Sequence, residues 1–228
     1  MRSKSITQIL TTLISMILLI SCEKDNKKGL PTDGDGNVYD TITIGTQTWL
    51  VENLKTTKYN NGISIPLVTD NSEWITKTSA AFCWYNNQPE KYKDDYGALY
   101  NWWAIQVSAL CPVGYHVPTT EEWTTLIDYL GGENVAGGKL KLTGNIFWNN
   151  NSLATNESGF SAVGGGFRTY YDGTFISIRD NGSWGSSSPG IDVNSGVRLI
   201  LYSHTGEAMI SGGINKKAGI SVRCLKNK

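Results

Sequence analysis

Residues 111–132, CPVGYHVPTTEEWTTLIDYLGG, decide how this chain folds. Thr119 follows Pro118 and stands outside the helix it opens. Thr119 and Glu122 have the spacing of a capping box, in which the hydroxyl and the carboxylate each satisfy a backbone donor orphaned at a helix start. Trp123, Leu126, Ile127 and Leu130 then fall at i, i+3, i+4 and i+7. That is one apolar stripe about 100° wide, which a globular helix turns toward its core. Gly131 supplies the left-handed stop. The adjacent Glu121 and Glu122 complement the positive end of the helix macrodipole, as do Asp94 and Asp95 at another expected helix start, so neither pair needs a catalytic explanation.

Outward from this helix, residues 38–44 (VYDTITI) are rich in β-branched side chains, and residues 47–54 (QTWLVENL) resume after Gly45-Thr46 as a hairpin would. Asn60-Asn61-Gly62 marks a turn, residues 66–72 a loop, and residues 80–85 a buried strand. Residues 94–105 (DDYGALYNWWAI) place Leu99, Trp102, Trp103 and Gln106 at helical spacing and predict a helix with its tryptophans in the core. Beyond Gly159 the chain is strand and turn, with Asp172-Gly173 and Asn181-Gly182 as hairpin signals. Helices in the first half and sheet in the second, with the opening strands returning to that sheet, indicate an α+β fold.

Before the first acidic residue the chain carries Arg2 and Lys4, an apolar run from Ile6 to Ile20, and then Leu19-Ile20-Ser21-Cys22. The run is short for a membrane span, which needs about 20 apolar residues. With a small residue before the cysteine, it predicts a lipoprotein signal peptide over residues 1–21 and lipidation of Cys22; an uncleaved anchor or an ordinary cleaved signal is the alternative. Residues 22–36, charged and then rich in glycine and aspartate, predict a flexible tether. The domain then spans 37–228. The expected location is an outer-membrane lipoprotein, periplasmic or surface-exposed, whose membrane partner is engaged through the lipid.

Of the 20 basic residues, two lie in the leader, which leaves 18 against 20 acidic ones. Such a balance gives no nucleic-acid footprint. Cys83, Cys111 and Cys224 remain in the exported part, where thiols tend to be oxidised. Three cannot all pair, and sequence alone leaves every pairing open. No zinc pattern is present, since His116 and His204 have no ligand spacing. His116 is expected to be structural and His204 exposed. Asp33-Gly34-Asp35-Gly36-Asn37 mimics the start of an EF-hand loop but has Val38 at the sixth position and Ile44 at the twelfth, so calcium is a weak prospect and no other cofactor is expected.

Several ordered blocks resemble the Fibrobacter succinogenes major paralogous domain, a family found on secreted and lipid-anchored proteins chiefly of Bacteroidota and Fibrobacter. They are Asp35-Gly36-Asn37-Val38-Tyr39, Ile44-Gly45-Thr46-Gln47-Thr48-Trp49, Tyr96 to Trp102 (YGALYNW), Cys111 to Pro118, Gly137 to Lys141 (GGKLK) and Ser221-Val222-Arg223-Cys224. The helix PTTEEW is also similar, more distantly, to that of formylglycine-generating-enzyme-like proteins. The resemblance implies a single C-type-lectin-like domain with two helices and twisted antiparallel sheets. It also implies a disulfide between Cys111 and Cys224, with Cys83 left as a buried free thiol.

Chemistry is sparse. A formylglycine-generating type of enzyme would need cysteines near the end of the domain, where Cys224 stands alone, and no nucleophile elbow or Ser-His-Asp set is present. Gln88-Pro89-Glu90 and Trp148-Asn149-Asn150 resemble sugar-binding tripeptides of calcium-dependent lectins, but the first precedes the expected second helix and the order is wrong. Three aromatic and polar clusters lie in or beside turns: Trp148 with Asn149, Tyr170 with Tyr171, and Trp184 with Ser186 to Ser188. Rings offer apolar faces to sugars or protein side chains while neighbouring amides orient them. The expected function is a lipid-anchored, non-catalytic envelope module that binds a glycan or protein. A formylglycine-generating-enzyme-like enzyme with an altered site, or a structural envelope component, is the alternative.

Overall fold

The computed structural model describes residues 29–228. The expected signal peptide, the expected lipidation site Cys22 and the start of the expected tether lie outside the described residues. From Pro31 the chain is ordered as part of one compact unit. The composition of residues 22–36 predicts a tether, yet Asp33 is buried. Its carboxylate accepts hydrogen bonds from the Asp35 and Asn37 amides, the Asn37 side chain and the Tyr39 hydroxyl. One buried acceptor closes a turn that composition cannot reveal.

The fold is mixed α+β and mostly sheet. Strands β1 (Thr41–Ile44) and β2 (Gln47–Leu50) form the expected hairpin about Gly45, whose φ is +61°. They do not return to the large sheet. β2 pairs with the C-terminal β11 (Leu225–Lys226), which pairs with β5 (Tyr115–His116), giving a separate four-stranded sheet. A five-stranded sheet runs β10-β9-β8-β6-β7, built from β6 (Gly165–Arg168), β7 (Phe175–Ile178), β8 (Asn181–Pro189), β9 (Ser195–Tyr202) and β10 (Ala208–Asn215). It is not wholly antiparallel, since β6 and β8 run parallel at Gly166 and Gly182. A third, two-stranded sheet joins β3 (Phe82–Cys83) to β4 (Leu99–Tyr100).

Five helices are described rather than two: α1 (Asn71–Thr76), α2 (Pro89–Tyr96), α3 (Trp102–Ile105), α4 (Thr120–Tyr129) and α5 (Glu133–Leu140). α4 is the helix that the opening stretch predicts. The Glu122 amide donates to Thr119 Oγ1 at 3.2 Å and the Thr119 amide to Glu122 Oε2 at 2.9 Å. Trp123, Leu126 and Ile127 are buried, and Gly131 turns at φ +101°. The Trp123 ring stacks on Trp49 at 4.7 Å, with Phe160 edge-on to both. Each such aromatic pair adds about 1 kcal/mol beyond the area it buries.

The single helix expected over 94–105 does not form. α2 begins earlier, at Pro89, and ends at Gly97 with φ +73°, where a Cβ would come within 2.8 Å of Leu54 O. The chain extends into β4 and restarts as α3, capped by Asn101 Oδ1 accepting from the Ala104 amide. Trp102 and Trp103 are only half-buried. Asn181-Gly182 is not a turn either. It lies inside β8, where a Cβ on Gly182 would stand 2.3 Å from the Trp184 ring, so the glycine makes room for an indole. α5 has no counterpart among the expected elements. Here Gly137 lets the helix approach Glu207 O, which a Cβ would meet at 1.9 Å.

The Cys111–Cys224 disulfide is present, joining residues 113 apart, and Cys83 is a buried free thiol. Three buried cations tie loops together through carbonyl oxygens. Arg223 donates to Asn53 Oδ1 and to the carbonyls of Leu50, Val51 and Phe160. Lys141 Nζ donates to the carbonyls of Tyr202, Ser203 and Thr205 at 2.9, 2.8 and 2.7 Å. Arg168 Nε reaches Gly173 O, Nη1 reaches Val68 O, and Nη2 reaches Thr69 O and Asn71 Oδ1. Each cation exchanges water for several fixed acceptors, which is how a buried charge avoids the cost of standing unpaired.

Candidate binding site

The structure separates the aromatic clusters. Trp148 and Trp184 are fully buried, which removes both from any binding surface. Trp148 donates its indole N–H to Ala162 O at 2.7 Å and packs against the Lys141 ammonium. Trp184 donates to Asn53 Oδ1 at 2.8 Å and sits edge-on to Phe160. Both indole N–H groups are satisfied inside, so these rings fill the core from its polar margin. Asn149 is half-buried and donates to Asp180 Oδ1. Ser186 and Ser188 hold the start of α4, through Pro118 O and the Thr120 amide.

Tyr170 and Tyr171 remain on the surface, 45% and 61% exposed. Their rings lie 5.4 Å apart at 89°, presenting one face and one edge. They stand on the turn between β6 and β7, which is pinned from several sides. The Thr169 amide bonds Thr174 O, and Asp172 Oδ1 accepts from the Thr169 hydroxyl and from the amide and hydroxyl of Thr174. The Thr169 hydroxyl, then the Thr174 groups, hold the Asp172 carboxyl below its usual range. Gly173 turns at φ +72°, and a Cβ there would meet Asn71 Cα at 2.9 Å. Its carbonyl is one of the acceptors of the buried Arg168. The two rings are therefore exposed on a rigid support, the arrangement that lets an aromatic surface bind without first losing conformational entropy.

Other sequence candidates resolve into structural roles. His116 Nδ1 lies 2.7 Å from Asn227 Oδ1 and Nε2 lies 2.9 Å from Glu122 Oε2, tying β5 to the cap of α4 and to the C-terminal segment. Gln88-Pro89-Glu90 opens α2, with Pro89 in its first turn. His204 is exposed, its ring 6.0 Å from Tyr202. The Asp33 turn does not suit calcium, because four protein donors already occupy its carboxylate. Among the described residues no group of three or more metal-ligating side chains occurs. Burial pushes the Cys83 thiol up to about 12, which makes it a poor nucleophile.

Sequence reasoning missed a recess of about 290 Å³ where α5 meets the chain near Leu153 and Gly206. Val135 and Leu153 give it an apolar wall, and the ion pair Lys139–Glu157, at 3.5 Å, adds charge. It also missed Arg168, whose signal was an arginine inside the apolar run GFRTYY.

The ordered blocks, the capped α4 and the disulfide belong together, and the family model described as the Fibrobacter succinogenes major domain matches residues 42–226. The chain belongs to this family. The match runs from β1 to β11 and includes both halves of the disulfide and the whole Tyr170–Tyr171 turn. No curated protein and no solved structure matches the chain. Among the described residues no helix is long and apolar enough to cross a membrane.

Proposed function

We propose that this member of the Fibrobacter succinogenes major domain family is a lipid-anchored cell-envelope protein whose domain binds a glycan, without catalysis, at the Tyr170–Tyr171 corner. The observation that carries the reading is the exposure of two perpendicular tyrosine rings on a turn fixed by Arg168 and Gly173. Sugars present apolar C–H faces that stack on such rings, and the neighbouring Thr174 and Asp172 supply hydrogen-bonding edges. Anchoring rests on the charged, apolar and Leu19-Ile20-Ser21-Cys22 sequence of the N-terminus, and places the domain at the outer membrane, in the periplasm or on the cell surface.

We read the architecture as C-type-lectin-like. Supporting this are a long helix preceded by a cysteine that is bridged to the C-terminal segment, and sheets rich in hairpins. A formylglycine-generating-enzyme-like activity is less well supported, because Cys224 is held in the disulfide and Cys83 lies buried. A screen of the mature chain against immobilised glycans, with and without calcium, tests the reading. Saturable binding that Tyr171→Ala removes supports it, and binding unaffected by changes at both tyrosines refutes it.

A further inference from the structure

Arg198, in the middle of β9, differs from the caged arginines. Arg168 and Arg223 use all three guanidinium nitrogens on protein acceptors. Arg198 uses one, donating from Nη1 to Ser183 Oγ at 3.1 Å. Its Nε is buried without an acceptor, and among the described residues no hydrogen bond occupies Nη2. No ion pair among the described residues includes it. Since a guanidinium stays charged, this is a half-buried cation whose Nη2 has no protein acceptor among the described residues. A carboxylate that reaches Nη2 gains a charge-assisted hydrogen bond, roughly twice as strong as a neutral one.

Its surroundings are rich in donors and poor in acids. The Phe167 ring lies 5.6 Å from the guanidinium. Ser211 stands directly across on β10, with a hydroxyl that makes no hydrogen bond among the described residues. On the other side Gly185 is the register partner, and α3 covers it: a Cβ on Gly185 would meet Ile105, and one on the adjacent same-face Gly196 would meet Trp102. The Trp102 indole N–H has no acceptor, and the Lys216 ammonium lies 4.0 Å from that ring. Asp192, on the loop bonded to Gly212, uses its Oδ1 on the Asn194 amide.

We infer that Arg198 is a carboxylate-binding subsite on the face of the five-stranded sheet that carries Ser211, beside α3, and that the glycan taken by this domain is an acidic one carrying uronic-acid-type carboxylates. The inference rests on the glycan reading above and adds the chemistry of the ligand. Ser183, buried and donating to Asn181 Oδ1, holds the guanidinium through Nη1; Ser211 orients the carboxylate from the neighbouring strand, and Phe167 offers an apolar face to the sugar ring that bears it.

The test is calorimetric titration of the mature chain with an oligogalacturonate and with its methyl ester, in which a methyl group caps each carboxyl and removes its charge. The expected result is binding of the acid about tenfold or more tighter than the ester. Arg198→Met should abolish that preference and Arg198→Lys should keep part of it. Because the acid and ester are compared on the unaltered protein, the outcome does not depend on a variant folding. Equal affinity for acid and ester overturns the subsite while leaving the tyrosine corner standing. Arg198-dependent acid binding that is unchanged in Tyr170→Ala/Tyr171→Ala supports the subsite and refutes the corner. Arg198-dependent binding of inorganic sulfate without oligogalacturonate binding, or Arg198-dependent binding of a glutamate-rich peptide alone, overturns the acidic-glycan assignment.

Discussion

The Arg168 guanidinium lies 4.4 Å from the centroid of the Trp74 ring, and this contact joins α1 to the turn that displays the tyrosines. Phe175 closes the other side at 4.8 Å, and four acceptors satisfy the remaining edges. Arg168→Met keeps much of the volume but strands three carbonyls and the Asn71 amide oxygen. Urea denaturation should show a loss of about 2–4 kcal/mol. Glycan binding should weaken as well, although Arg168 is buried and touches no ligand.

Trp148 and Trp184 should behave as core residues. Trp148→Ala or Trp184→Ala should each cost about 3–5 kcal/mol. Tyr171→Ala, at a 61% exposed position, should change stability by about 0.5 kcal/mol or less. Thermal unfolding of the three variants checks the contrast, and a stable Trp148→Ala protein would contradict the burial on which the choice of site depends.

These residues also show what the sequence made legible. α4 could be read because its cap, stripe and stop are all local, and the first hairpin because Gly45 punctuates it. Trp148 and Trp184 sit among asparagines and serines that look like surface, but each indole N–H finds an acceptor outside its own cluster, Ala162 O for Trp148 and, 131 residues away, Asn53 Oδ1 for Trp184. Spacing could not show that Gly97 breaks the expected helix against Leu54, nor that Gly182 serves an indole instead of a turn. Tyr170 and Tyr171 were identifiable as turn residues. The support that makes their turn rigid comes from Val68, Thr69 and Asn71, about a hundred residues earlier.

The disulfide should account for much of the stability. In the chain-entropy model a loop of this length contributes roughly 4–5 kcal/mol. Cys111→Ser/Cys224→Ser should lower the urea midpoint accordingly. A reductant should do the same to the unaltered protein and have no effect on the variant.

Acid should weaken the cap of α4. Burial pushes the Glu122 carboxyl up, but the Thr119 amide and the His116 ring outweigh it and hold the group below its ordinary value of 4.5. A depressed carboxyl stabilises the fold fully above its unfolded value and loses that contribution as pH falls through its folded value. Unfolding free energy should therefore drop as pH falls below about 4.5, and Glu122→Gln should flatten that part of the profile. A profile in Glu122→Gln as steep as in the unaltered chain would show that the cap does not carry the effect.

The most direct measurement is affinity electrophoresis of the mature chain and of Tyr170→Ala/Tyr171→Ala through gels containing neutral or acidic soluble polysaccharides. The account predicts that at least one polysaccharide retards the unaltered protein and not the double variant, while both melt at the same temperature. No retardation by any polysaccharide, or equal retardation of both proteins, would contradict a glycan site at the tyrosine corner.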